Sequence, residues 1–89
     1  MHYVDNVKER KFVATIDGYS AFIEYSVEPD IVILEHIEVD EELSGRGIAS
    51  ELTESVLLGI ESRGLKVIPK CPFIKSYIEK RPEWESILA

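Results

Sequence analysis

Hydrophobic and polar residues alternate along the first third of the chain, a pattern typical of β-strands. Two runs rich in β-branched and aromatic residues, 12–16 and 19–25, are separated by Asp17-Gly18. Both turn residues tolerate a positive φ, so the runs are predicted to pair as an antiparallel hairpin. Glu28-Pro29-Asp30 then breaks the pattern, and residues 31–39 are predicted to form a third strand.

The two halves of this third strand differ in their pattern. Consecutive apolar residues in the first half indicate burial on both faces. In the second half the side chains alternate, so Ile37 and Val39 are predicted to share one face. His36 and Glu38 are predicted to share the other face with Leu34. His36 is therefore expected where apolar burial gives way to polarity.

The apolar period becomes helical after Ser44. Apolar residues recur every four positions at Ile48, Leu52, Val56 and Ile60. This spacing predicts a core-facing helix of about four to five turns. Arg63-Gly64 is predicted to end it, because glycine readily adopts the left-handed conformation of a helix C-terminus.

A short fourth strand, residues 65–69, is predicted after the helix. Strand–helix–strand crossovers are right-handed with parallel strands in nearly all proteins, so this strand should run parallel to the third. Pro72 suits the first position of a second helix over residues 73–80, and Pro82 is predicted to stop it. The apolar residues of the tail, 83–88, predict that it docks on the rest of the domain.

Composition restricts the class of protein. The chain has 89 residues, 45% apolar and 30% charged, and is predicted to form one globular domain over residues 1–89. No apolar run approaches the roughly 18 residues of a membrane-spanning helix. The N-terminus lacks the apolar stretch of a secretory signal. No membrane association is therefore expected.

Net charge and cysteine content limit the classes of partner and the cellular locations that are expected. The net charge of −7 argues against nucleic-acid binding, which depends on clustered Lys and Arg, and favours a cationic partner such as an amine. Cys71, the single cysteine, can form no internal disulfide and no multi-cysteine zinc site. A cytoplasmic location is therefore expected, and no metal site is predicted.

The segment Leu43-Ser44-Gly45-Arg46-Gly47-Ile48-Ala49 joins the third strand to the long helix. Its glycines let the backbone approach an anion closely, and the free N–H groups and dipole of a helix start attract phosphate. Arg46 could add a charge-assisted contact. A plain tight connection, with Ser44 as the helix N-cap, explains an isolated Gly-x-Gly equally well.

Two widespread phosphate loops do not fit this segment, since it has neither a Gly-Lys-Ser/Thr ending nor a third glycine. The order strand, Gly-x-Gly turn, long helix, strand, short helix resembles the acyl-CoA-binding core of the GNAT superfamily of N-acetyltransferases. Its signature is Gln/Arg-x-x-Gly-x-Gly/Ala, and Glu42 stands at the first position here. The third strand, residues 67–74 and Pro82-Glu83-Trp84 resemble the small, single-domain GNAT-like family of YjdJ type.

This resemblance implies a minimal GNAT-like α/β (α+β) fold, with three antiparallel strands, a long helix, a parallel strand and a short helix. It implies acetyl-CoA as the acyl donor and an amine as the acceptor. The turn, residues 43–49, would hold the pyrophosphate, and the backbone of Ile37, Glu38 and Val39 would contact the thioester carbonyl and pantetheine arm. A CoA-binding module without turnover is the alternative function.

Cys71 and His36 are the candidate catalytic residues. Cys71 lies between a strand end and a helix start, where the helix dipole favours a thiolate, although most single cysteines are small buried hydrophobes. A histidine in this setting is more often structural than a base. Both residues approach the same end of the parallel strands, so a Cys–His pairing is geometrically feasible. The resemblance implies a catalytic or acyl-carrying cysteine and a histidine at these positions.

Tyr77 is a weaker candidate. Many GNAT enzymes use a tyrosine on the corresponding helix to protonate the departing CoA thiolate, and contact with the core is the alternative for Tyr77. The asparagine usual at the start of this helix in the superfamily is replaced by Cys71. Direct transfer and transfer through Cys71 are therefore both open.

Overall fold

The computed structural model describes residues 1–89. The strands and helices are β1 (Val4–Asn6), β2 (Lys11–Ile16), β3 (Tyr19–Glu28), β4 (Ile31–Val39), α1 (Ile48–Ser62), β5 (Lys66–Pro69) and α2 (Pro72–Glu79). Two 3₁₀ turns lie at Glu41–Leu43 and Pro82–Ile87. One sheet has the order β1-β2-β3-β4-β5, antiparallel as far as β4 and parallel between β4 and β5. The predicted fold is confirmed, and β1 is an addition to it.

The ends of the main elements follow local backbone chemistry. Asp17 and Gly18 have φ of 54° and 82°, the left-handed values that a two-residue hairpin turn requires. α1 ends at Arg63, and Gly64 follows with φ of 71°. Pro72 occupies the first turn of α2. None of the helices combines the length and apolar character that crossing a membrane requires.

A cluster of 20 buried residues packs one face of the sheet against the helices. α1 contributes its predicted stripe, including Leu52, Val56 and Ile60. The tail also docks as predicted, because Trp84 and Ile87 are buried in the same cluster. The Ala89 N–H then donates to the Val67 carbonyl at 2.9 Å, so the tail lies along the outer edge of β5.

A β-bulge divides β4 into two halves. In the register with β3, His36 lies opposite Glu24 and Leu34 lies opposite Tyr25. Glu35 is therefore an extra residue without a partner on β3. One extra residue shifts every following side chain to the other face of the strand.

The bulge corrects the predicted facing of the third strand. Leu34 is fully buried in the core, and Ile37 and Val39 pack against that same core. His36 and Glu38 are exposed on the opposite face. The prediction that Leu34 shares a face with His36 and Glu38 is wrong, because strict alternation leaves no room for the inserted residue.

β4 has a neighbour on both sides only in its first half. Its pairing with β5 ends where Leu34 lies opposite Pro69. The Leu34 carbonyl then accepts hydrogen bonds from the N–H groups of Lys70 and Cys71, both at 3.0 Å. Beyond the bulge, β4 pairs with β3 alone. We call residues 36–39 the open half of β4.

Candidate functional site

The open half of β4 presents unpaired backbone groups. Two hydrogen bonds define the direction of its backbone: the Leu34 carbonyl faces β5, whereas the Asp40 N–H donates to the Ser20 carbonyl beside β3 at 3.0 Å. In a regular strand these two even-numbered residues would direct their backbone groups to the same side. The bulge between them has therefore reversed the side to which the backbone groups point. Successive residues of an antiparallel strand point their backbone groups to opposite sides. Ile37 and Val39 therefore direct N–H and C=O groups away from β3, towards the open edge.

The turn between β4 and α1 contains a continuous run of N–H groups without acceptors. No backbone N–H of residues 45–50 donates a hydrogen bond within the protein. On either side the pairing resumes, since Ser44 donates to Glu41 and Glu51 donates to Gly47, both at 3.1 Å. Unsatisfied N–H groups at the positive end of a helix dipole bind anions. We call residues 45–50 the amide cradle.

The helix has no side-chain cap in front of these amides. Its N-cap is Gly47, with φ of 70°, and no side chain accepts a hydrogen bond there. The N-cap role that the alternative prediction gave to Ser44 is therefore wrong. Gly45 also has a left-handed φ, 78°, and a Cβ atom added at either glycine would meet nothing within 4 Å. The space in front of the amide cradle is open to a ligand.

A cleft of about 270 Å³ lies at the amide cradle. It is lined by Val39, Leu43, Ser44, Gly45, Gly47, Ile48, Ala49, Ser50 and Phe73. The structure thus brings together the end of β4, the turn, the start of α1 and the first turn of α2. Sequence reasoning missed two of these residues. Ser50 follows from counting the free N–H groups of a helix start, but the position of Phe73 depends on how α2 packs.

The side chain of Arg46 points away from the cleft. Its guanidinium donates to the Asp17 carboxylate at 2.9 Å and does not line the cavity. The backbone N–H of Arg46 still belongs to the amide cradle. Leu43, by contrast, lines the cleft but has no free amide, because its N–H donates to the Asp40 carbonyl at 2.9 Å.

A second cavity, of about 310 Å³, adjoins the cleft through Ser50 and Phe73. Lys80 and Arg81 lie on its wall, so it is cationic although the chain carries a net charge of −7. Sequence reasoning missed both cations. They follow the end of α2, far along the chain from the Gly-x-Gly turn, and no local pattern connects the two segments.

Tyr77 holds α2 against α1. It is buried, its hydroxyl donates to the Glu54 carboxylate, and the Arg81 guanidinium stacks 3.8 Å from its ring centre. Burial, followed by the hydrogen bond to Glu54, raises the pKa of Tyr77 to about 12. These contacts agree with the alternative in which Tyr77 packs in the core.

Cys71 and His36 are not brought together. Cys71 is the N-cap of α2 and lies in the core cluster with 3% of its surface exposed. His36 is exposed on the other face of the sheet, with its Nε2 atom 3.5 Å from Oε1 of Glu38. The structure contains no Cys–His pair. It also places no group of three His, Cys, Asp or Glu residues together as a metal site.

Comparison with known proteins decides the family. Residues 11–87 match the model of the GCN5-related N-acetyl-transferase family. The chain belongs to this family. Membership makes the protein an acyl-transferring enzyme, as the resemblance implied, in a family that generally uses acetyl-CoA.

Two relatives show how far the likeness of this GCN5-related N-acetyltransferase extends. The chain is 33% identical to Protein NATD1 of Gallus gallus over 78 residues, which cover 84% of the chain and 71% of that protein. Its fold is similar to the NMR solution structure of a GCN5-like protein from Staphylococcus aureus, with a TM-score of 0.74 and 26% identity. That match covers 99% of the chain and 87% of the other.

Proposed function

We propose that this GCN5-related N-acetyltransferase moves an acetyl group from acetyl-CoA to a cationic amine. The observation that carries the proposal is the amide cradle, a run of free N–H groups facing an open cleft at a helix start. Such a run binds the pyrophosphate of CoA without requiring a particular side chain. Glu42, at the position where the superfamily has Gln or Arg, therefore leaves this binding mode intact.

The remaining parts of CoA are assigned to the two flanking regions. The open half of β4 offers the backbone groups of Ile37 and Val39 to the pantetheine arm and the thioester carbonyl. Glu38 lies between them but directs its backbone towards β3. On the other side of the cleft, Lys80 and Arg81 provide positive charge for the phosphate groups of the nucleotide end. No metal is required by this assignment.

The acceptor is proposed to approach from the face of the sheet that carries His36. His36 lies beside Glu38 and directly opposite Glu24, so carboxylates surround it and favour a cationic amine. In direct transfer the deprotonated amine nitrogen attacks the thioester carbon, the carbon–sulfur bond breaks and CoA leaves as a thiolate. His36 is the candidate base that takes the proton from the amine.

A route through Cys71 is the second proposed mechanism. Cys71 is the N-cap of α2 and lies two residues before Phe73, which lines the cleft. The Cys71 thiol would attack the thioester carbon, the bond to the CoA sulfur would break, and CoA would leave with the thiol proton. The amine would then attack the resulting acyl-cysteine and restore the Cys71 thiol. The burial of Cys71 favours the direct route, because a thiol with 3% exposure must become accessible before it can react.

One assay tests these assignments. The protein is incubated with isotopically labelled acetyl-CoA and a panel of amines comprising a polyamine, a lysine peptide and a peptide with a free N-terminus. Product formation and intact protein mass are then measured for the wild type, Cys71→Ala and His36→Gln. In direct transfer, Cys71→Ala remains active and His36→Gln loses roughly 10²- to 10⁴-fold in rate.

The results of this assay distinguish the two mechanisms and the alternative function. Loss of transfer in Cys71→Ala with CoA binding retained, together with a label on the wild-type protein, supports the cysteine route. CoA binding without any acetylated amine supports the alternative function, a CoA-binding module without turnover. The separation of Cys71 from His36 leaves no assembled Cys–His dyad, which the direct route does not require.

We also propose the extent of the domain and the cellular location of the protein. The single core cluster, which includes residues from Phe12 to Ile87, supports one acyl-CoA-binding domain over residues 1–89. One free, buried cysteine suits a reducing compartment, and we propose the cytoplasm.

A further inference from the structure

Asp17 contacts the amide cradle from a distant part of the chain. It lies in the turn between β2 and β3, and its Oδ2 atom accepts a hydrogen bond from the Arg46 guanidinium at 2.9 Å. This ion pair and the His36–Glu38 pair are the two that the structure contains. The contact spans 29 positions of sequence and joins the hairpin tip to the second residue of the amide cradle.

The hairpin turn does not itself require a carboxylate at this position. Asp17 has φ of 54°, and asparagine adopts that left-handed conformation at least as readily as aspartate. A neutral asparagine would therefore form the same turn. What aspartate adds is a negative charge opposite Arg46.

The backbone around Arg46 is the part of the amide cradle that most needs an anchor. Arg46 is flanked by Gly45 and Gly47, both with positive φ, and no N–H of these residues is hydrogen-bonded within the protein. Glycine loses more conformational freedom on ordering than any other residue. Apart from the Gly47 carbonyl, which accepts from the Glu51 N–H, the Arg46 side chain makes the one hydrogen bond of this short segment. The two glycines beside it line the cleft, whereas Arg46 does not.

We infer that Asp17 is a positioning residue for the CoA pyrophosphate. By holding the Arg46 side chain outside the cleft, it fixes the peptide groups of Gly45, Arg46 and Gly47 with their N–H groups towards the ligand. Asp17 acts through Arg46 and does not touch the cofactor. This inference rests on the proposed function, because it assigns a role within the same CoA site.

Asp17→Asn gives the decisive test, because a purely electrostatic role and a positioning role of Asp17 predict opposite changes in the affinity for CoA. Removing a negative charge near an anionic ligand should tighten CoA binding if only long-range charge matters. Positioning predicts weaker binding, with the Kd of CoA raised roughly two- to fivefold, the range of an exposed ion pair. Asp30→Asn is the matched control, because Asp30 also has a left-handed φ, 62°, but lies in the turn before β4, at the end remote from the open half.

A double-mutant cycle separates positioning from direct contact. Arg46→Gln should raise the Kd as much as Asp17→Asn does, and the double variant should be no worse than either single one. Arg46→Lys, which keeps the positive charge, should restore most of the affinity. In steady-state assays the loss should appear as a higher KM for acetyl-CoA in the Asp17 and Arg46 variants, while Asp30→Asn should leave the KM unchanged.

An observation without ligand completes the test. In the ¹H–¹⁵N spectrum of the free protein, Asp17→Asn and Arg46→Gln should shift the same amide signals of Gly45 and Gly47, and Asp30→Asn should leave them in place. Unchanged or tighter CoA binding in Asp17→Asn, or additive effects in the cycle, would overturn the inference. If the wild type fails to bind CoA while the amide shifts occur as expected, the proposed function fails but the anchoring of the turn by Asp17 remains.

Discussion

The two halves of β4 have opposite roles although they belong to one strand. Ile31 to Leu34 pairs with β3 and β5 on its two sides, and its core-facing residues Val32 and Leu34 are almost completely buried. The open half, residues 36–39, pairs with β3 alone and leaves backbone groups unpaired. Glu35, the bulge residue, separates them. Burying unpaired backbone groups is energetically costly. Such groups are therefore expected where a strand leaves the core and its edge is open.

The same contrast distinguishes two ways of recognising a ligand. In the proposed CoA site, the amide cradle and the open half of β4 would bind through main-chain groups, and every residue except proline supplies a backbone N–H. The basic cavity at Lys80 and Arg81 would bind through side chains instead. A site based on the main chain tolerates substitution at its side chains, which explains how Glu42 can replace the Gln or Arg of the superfamily signature.

The largest expected effect comes from shortening a side chain in the first half of β4, which pairs with a strand on each side. Leu34→Ala removes a fully buried side chain and should lower the free energy of unfolding by about 3 kcal/mol. Ile37→Ala removes the same number of carbon atoms from a half-buried position in the open half, and should lose about half as much. Urea denaturation measures both. Equal losses would mean that the two halves are packed alike.

The second effect concerns the amide cradle. Gly47 and Gly64 have φ of 70° and 71°, and a Cβ atom meets nothing within 4 Å at either position. Substituting alanine for either glycine should therefore lower the free energy of unfolding by about 1 kcal/mol, because alanine disfavours the left-handed backbone conformation. Only Gly47→Ala should also weaken CoA binding, by about tenfold, because Gly47 lines the cleft and its backbone must keep its left-handed conformation there. Isothermal titration measures this, and equal affinities in the two variants would contradict the account.

The smallest effect concerns α2, whose residue Phe73 lines the cleft together with Val39. The pKa of Tyr77 is raised to about 12, whereas an unfolded tyrosine has a pKa of about 10. Folding thus favours the neutral phenol, so this stabilisation is complete below pH 10 and is lost as pH rises towards 12. Tyr77→Phe should cost about 1 kcal/mol at neutral pH, the value of an ordinary hydrogen bond.

The alkaline behaviour of Tyr77→Phe provides the check. Its stability should fall less steeply between pH 10 and 12 than that of the wild type, in urea denaturation at several pH values. A smaller fall remains because burial and a hydrogen bond to Asp5 also raise the pKa of Tyr25 to about 12. Tyr19→Phe, at an exposed position, serves as the control. An identical alkaline slope in wild type and Tyr77→Phe would refute the role given to the Glu54 contact.

Local patterns were enough to predict most of the fold. The hairpin at Asp17-Gly18, the apolar stripe of α1, its end at Gly64 and the start of α2 at Pro72 each depend on backbone preferences or on a period within a few residues. The Gly-x-Gly turn belongs to the same class, because the free amides of a helix start follow from helix geometry alone. These features are all present in the structure.

The features that escaped prediction depend on contacts between distant segments. A bulge changes the face of His36 relative to Leu34, and nothing in the local pattern marks Glu35 as the inserted residue. The separation of His36 from Cys71 follows from that facing and from the packing of α2. Phe73, Lys80 and the Arg46 contact with Asp17 likewise required the tertiary structure.

The central claim is that CoA binds to free main-chain amides at the start of α1 and along the open half of β4. The most direct measurement is a titration of the ¹⁵N-labelled protein with CoA, followed by ¹H–¹⁵N spectra. The largest shifts should occur in the amides of residues 45–50, with further shifts at Ile37 and Val39, while Val32 and Leu34 remain unaffected. Largest shifts outside these segments, or none in residues 45–50, would contradict the claim.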